Sequence, residues 1–186
     1  MAKKRVFLLL MFAAMMGACG ESSPPSSKQE AVPTAEERLA QLQKQADSGD
    51  ANAQFGLGAM YHNGKGVPKD IAKAMEWYLK AAAQENASAQ FILGLMCGNG
   101  EGVPKDVAKA AEWFQKAAVR GHADAQFELA GMYFRGEGVP QDGAKGIEWG
   151  QKAAAQGHSK AQYNLGMRYL NGEGVPKNVA KAVELL

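Results

Sequence analysis

Few side chains in this sequence are equipped for chemistry, and their spacing assigns most of them to other duties. The three histidines, His62, His122 and His158, are too scattered to converge on a metal ion. His122 and His158 stand one period apart in Gly-His turns, which marks them as structural. His62 occupies a place that Gly98, Phe134 and Leu170 fill elsewhere. Cys97 stands where Tyr61, Tyr133 and Tyr169 stand, so it reads as a small buried hydrophobe rather than a nucleophile. Gly64-Lys65-Gly66 superficially resembles a phosphate loop, but no strand precedes it and Val67-Pro68 follows where a helix should open. Neither Ser-x-x-Lys nor Gly-x-Ser-x-Gly is present to supply an activated serine. Trp77, Trp113 and Trp149 offer rings for stacking sugars, yet their identical placement beside Ala81, Ala117 and Ala153 favours packing between units. Nothing here requires a metal or cofactor, and the chain reads as non-catalytic.

The elements that carry these residues recur every 36 residues. Ala53-Gln54-Phe55 returns as Ala89-Gln90-Phe91, Ala125-Gln126-Phe127 and Ala161-Gln162-Tyr163. Gly66-Val67-Pro68 returns as Gly102-Val103-Pro104, Gly138-Val139-Pro140 and Gly174-Val175-Pro176. Each unit parses as helix, loop, helix. The first helix spans about 52–62 and closes at Asn63-Gly64, where glycine can turn left-handed. Val67-Pro68 forces an extended backbone. Asp70, Asp106, Asp142 and Asn178 are placed to cap the second helix, which ends near Ala83 in the first unit and carries Glu76 and Lys80 as an i,i+4 pair. Neither helix can bury its apolar face alone, so neighbouring units must stack. The units are 51–86, 87–122, 123–158 and an incomplete 159–186. Thr34 and Glu37 form a capping box that opens a polar-faced N-terminal capping helix within 34–50. Val183, Leu185 and Leu186 would lack a following unit to pack against, so either the sequence is part of a longer array, the favoured expectation, or this end meets a partner.

The N-terminus has a different composition. Lys3-Lys4-Arg5 precede an apolar run, Val6 to Met16, too short to cross a bilayer as a helix. Met16-Gly17-Ala18-Cys19 resembles a bacterial lipobox, which implies a signal peptide over 1–18 and lipidation of Cys19. Residues 20–33 are polar and broken by Pro24-Pro25, as suits a tether following the lipidated residue 19. By analogy with lipoprotein sorting, Gly20 after the cysteine favours the outer membrane, with the body in the periplasm. The 21 basic and 19 acidic residues nearly balance, and removing 1–18 leaves 18 basic residues. Such a balance argues against nucleic acid as a partner.

The pattern Ala-x-Ala-Gln-Phe-x-Leu-Gly, then Gly-x-Gly-Val-Pro-x-Asp, then Ala-Lys-Ala-x-Glu-Trp resembles the Sel-one-like repeat family, a relative of the tetratricopeptide repeats, over about 34–186. That resemblance implies an all-α fold: a right-handed α-solenoid of stacked antiparallel helix pairs whose concave side, lined by first helices, docks proteins or peptides. The cysteine-rich branch of the family, for which action on β-lactams has been claimed, suggests an alternative cell-wall or β-lactam role. This chain has only Cys19 and Cys97 and lacks that disulfide framework.

The four units can be compared with one another. Positions held constant serve the stacking common to all, and positions that vary are released from it. On the first helix the varied positions fall in a stripe about 60° wide. The stripe carries Asn52, Ser88, Asp124 and Lys160; Gly56, Ile92, Glu128 and Asn164; and Ala59, Leu95, Gly131 and Met167. This mixed surface is the expected partner-binding face, suited to a protein or peptide. The functional expectation is therefore an exported scaffold, held to a membrane through a lipid anchor.

Overall fold

The computed structural model describes residues 34–186; the expected signal segment 1–18, Cys19 and the tether to residue 33 lie outside the described residues. Nine helices and no strand occur among the described residues: α1 Ala35–Asp47, α2 Ala51–Asn63, α3 Ile71–Ala83, α4 Ala87–Asn99, α5 Val107–Val119, α6 Ala123–Arg135, α7 Gly143–Ala155, α8 Ser159–Asn171 and α9 Val179–Leu185. Each packs mainly on the helix before and after it, which builds an α-solenoid of stacked helix pairs. None is long and apolar enough to cross a membrane.

The helix boundaries follow from capping chemistry. Thr34 accepts from the Glu37 amide while Glu37 reaches back to the Thr34 amide, completing the capping box. Asp70, Asp106, Asp142 and Asn178 each accept from the amide three residues on. The first helices open behind Asp50, Asn86, His122 and His158, whose side chains accept from Ala53, Ala89, Ala125 and Ala161. His122 and His158 are thus helix caps, which refines their reading as turn residues. Gly64, Gly100, Gly136 and Gly172 close α2, α4, α6 and α8 in the left-handed region.

The repeated Ala-Gln pair has a clear packing role. The alanines vanish into the core, at 5% exposure or less for Ala53, Ala89, Ala125 and Ala161. The glutamines donate from Nε2 to the carbonyl oxygens of Ala46, Ala82, Ala118 and Ala154, at 3.1, 3.2, 3.0 and 3.2 Å. Those carbonyls belong to the last turns of α1, α3, α5 and α7, where each also accepts the amide of Gly49, Glu85, Gly121 or Gly157 and keeps a lone pair for the glutamine. A side-chain amide therefore joins each unit to the one before it, buried at Gln54, Gln90 and Gln126 and half-buried at Gln162.

The expected Glu–Lys pairs form only in part. Lys152 Nζ lies 2.7 Å from Glu148 Oε1. Lys80 and Lys116 instead sit over Trp77 and Trp113, 3.8 and 4.3 Å from the ring centroids. Lys152 also lies over Trp149, 4.0 Å from its centroid, so the indole contact is common to all three units, and at an exposed site it is worth about as much as an ion pair. Trp113 packs against two successive core clusters, and Trp149 is buried.

Candidate partner-docking site

The residues equipped for chemistry are absorbed by the scaffold. The Cys97 thiol is buried, and burial, reinforced by the nearby Asp106 carboxylate, pushes its pKa up and away from reactivity. Buried Tyr78 is pushed up to about 12, first by burial and then by the Glu101 carboxylate. His62 lies 2.9 Å from Glu101 in the next loop and edge-on to Tyr78, so it too bridges units. Among the described residues no three His, Cys, Asp or Glu side chains gather as a metal site.

The varied stripe is divided by the structure into three parts. At its N-terminal end, Asn52 accepts from Asn86 Nδ2 at 3.0 Å, and Asp124 Oδ1 lies 3.1 Å from His158 Nε2. These two side chains tie one first helix to the cap of the next. Ser88 is half-buried, and Lys160 is exposed at the start of α8. In the middle, Gly56 faces Leu42 of α1, and Ile92 packs against the core cluster that holds Tyr78. Leu95 is half-buried against the next cluster. Stacking and variation are thus not fully separated, because parts of this stripe pack on neighbouring units.

The third part is open. Glu128, Gly131, Asn164 and Met167 converge on a groove of about 490 Å³ between α6 and α8, floored by Gly146 and Gly150 of α7. It opens where the second helix of the third unit carries small residues. Tyr78 and Phe114 fill the corresponding place in the first two units, packed on Gly58 and Gly94 so closely that a Cβ there would meet the rings at 2.8 and 2.6 Å. The third unit has Gly150 instead, opposite Ala130. Phe134 supplies a ring from the other side, over Gly146, and Arg168 lies 3.5 Å above that ring. The signal was present in the sequence: Tyr78, Phe114 and Leu186 are large where Gly150 is not. It lies on the second helices, outside the varied stripe of the first ones.

A chain of capped helix pairs, stacked without a catalytic constellation among the described residues, defines a helical-repeat scaffold. The Sel1 repeat model matches residues 51–86, 87–122, 123–158 and 159–186. The chain belongs to the Sel1 repeat family. Over 43 residues, 23% of this chain and 9% of the relative, it is 44% identical to the secretory immunoglobulin A-binding protein EsiB of Escherichia coli. The fold is similar to that of a protective antigen of uropathogenic Escherichia coli, with TM-score 0.76 and 42% identity over 79% of this chain and 32% of that one. A Sel1 repeat protein from Oxalobacter formigenes gives TM-score 0.76 and 34% identity over 82% of this chain and 62% of that one. The chain therefore spans only part of the length of each of these relatives.

Proposed function

We propose that this protein is an exported, membrane-tethered scaffold that docks a protein or peptide on its first helices, centred on the groove between α6 and α8. The observation that carries the reading is the convergence of Glu128, Asn164 and Met167, three side chains released from the repeat pattern, on one open, largely apolar groove. Grooves of this size with a few polar groups at the rim suit side chains of a partner. The Escherichia coli relative is named for binding a protein, secretory immunoglobulin A, which supports a protein ligand for this scaffold too. The stripe residues Asn52, Gly56, Ser88, Ile92, Leu95, Asp124 and Lys160 would flank that centre. The lipobox-like run ending at Cys19 supports export and anchoring through a lipid in the cell envelope.

Affinity capture of envelope proteins on the lipidated full chain tests this. Glu128→Lys with Met167→Ala should abolish capture while helicity and the urea midpoint hold, because both side chains lie at the groove and neither is fully buried. Capture unaffected by these changes would place the docking surface elsewhere. Cys19→Ala should shift the protein out of the membrane fraction, and unchanged mass and fractionation would refute the anchor. Turnover of a chromogenic β-lactam, abolished by a single substitution, would replace the scaffold reading with an enzymatic one.

A further inference from the structure

We infer that the groove takes an aromatic side chain of the partner, presented beside a basic residue. The inference rests on the docking reading and specifies its ligand. Phe91 lies between two rings: it stacks on His122 with centroids 4.6 Å apart, and its other neighbour is Phe114, tilted at 5.7 Å. Phe55 meets Tyr78 in the same way, also at 5.7 Å. Phe127 keeps the first half of that arrangement, stacked on His158 at 4.6 Å and the same 21° interplanar angle. The second ring is missing, because Gly150 stands in its place, and the groove opens there.

The opening beside Phe127 therefore favours a ring. Tilted aromatic pairs gain beyond area alone, since the positive edge of one ring meets the negative face of the other. The Ala130 methyl occupies the innermost part of the space that Gly58 and Gly94 leave free, so an incoming ring rests further out, over Gly150 and beside Phe127. Met167 and Tyr163 contribute polarizable and aromatic walls at the rim. The rim charges set the flank of the ligand. Arg135 is paired with Glu137 at 2.8 Å, and Arg168 lies on Phe134. Glu128 and Glu173 have no cationic partner among the described residues. A Lys or Arg next to the inserted ring would meet these carboxylates.

Random peptides displayed on phage and selected on the full chain supply the test. The enriched peptides should carry an aromatic residue adjacent to Lys or Arg, and changing that aromatic to alanine should weaken binding roughly 30-fold. The double substitution A130G/G150F rebuilds the Gly94–Phe114 pairing inside the third unit and fills the groove from within. It should leave helicity intact and weaken the selected peptides by a similar factor. Phe127→Leu, which keeps apolar volume and removes the ring, should weaken them as well. Enriched peptides without an aromatic residue, or binding indifferent to both A130G/G150F and Phe127→Leu, overturn the inference. Failure to enrich any peptide overturns it too. In either case the docking reading stands if the full chain still captures an envelope protein in a manner sensitive to Glu128→Lys, and falls with it otherwise.

Discussion

The imidazole of His122 lies flat on the phenyl ring of Phe91, while its Nδ1 accepts the Ala125 amide at 3.3 Å. The cap requires a neutral Nδ1, because a protonated one has no lone pair to offer. Burial lowers the His122 pKa below its ordinary value, and the opposing pull of the Asp124 carboxylate is the smaller effect. The folded state thus holds the proton less readily than the unfolded chain. Stability from this group is complete above pH ~6.5 and is lost as pH falls through the lower folded value. Urea midpoints should drop from pH 7.5 to pH 5 by more in the natural chain than in His122→Asn, which copies the Asn86 cap. Equal pH dependence in the two proteins would mean that His122 is not the titrating group.

Glu85 occupies a left-handed backbone conformation, φ 63°, where the other units have Gly49, Gly121 and Gly157. A side chain in that region is strained, and its exposed ion pair with Arg120 compensates little. Glu85→Gly should raise stability by about 0.5–1 kcal/mol despite the added freedom of glycine in the unfolded chain. A lower melting temperature would show that the ion pair outweighs the strain.

Gln84 and Gln156 donate to the buried carbonyl oxygens of Gln54 and Gln126 at 2.8 and 2.7 Å. The equivalent residue in the second unit is Arg120, which turns to Glu85, and Gln90 Oε1 is left buried without a partner. Arg120→Gln should satisfy that oxygen and stabilise the array by about 1 kcal/mol. An unchanged urea midpoint would indicate that the oxygen is already paired in solution.

Trp113 touches the core clusters of two successive units, so its loss should be felt at a stacking step. Trp113→Ala is expected to cost about 3 kcal/mol, the lower end for a large aromatic because the ring is only half-buried. A near-neutral midpoint accompanied by lost ligand binding would make the tryptophans a recognition ladder instead.

The solenoid was legible from the sequence because its causes are local and repeated. Asp70, Gly64 and Pro68 act through their own backbone neighbours, and the same offsets return in every unit. What depended on one unit differing from the rest was harder to read. The stripe on the first helices rests on variation alone, and variation does not separate Asn164, which opens on a groove, from Ile92, which packs on the cluster that holds Tyr78. The deciding partner lies on another helix: Tyr78 behind Ile92, Gly150 near Asn164. Such pairings become visible only when the stacking offset between successive helices is known. The histidine caps were hidden for a similar reason, since imidazole is an unusual substitute for the Asp50 and Asn86 side chains.

The side-chain amides of Gln54, Gln90, Gln126 and Gln162 each reach a carbonyl eight residues earlier. Donor and acceptor at every junction are thus encoded within one short stretch of gene, identical in spacing at all four places. Excising or duplicating a whole 36-residue segment would regenerate the same junction at the seam. Length is therefore a heritable variable that this architecture can change by recombination without redesigning any interface. The groove over Gly150 is the opposite kind of trait, because it arises where one copy has diverged and would be duplicated or lost as a unit.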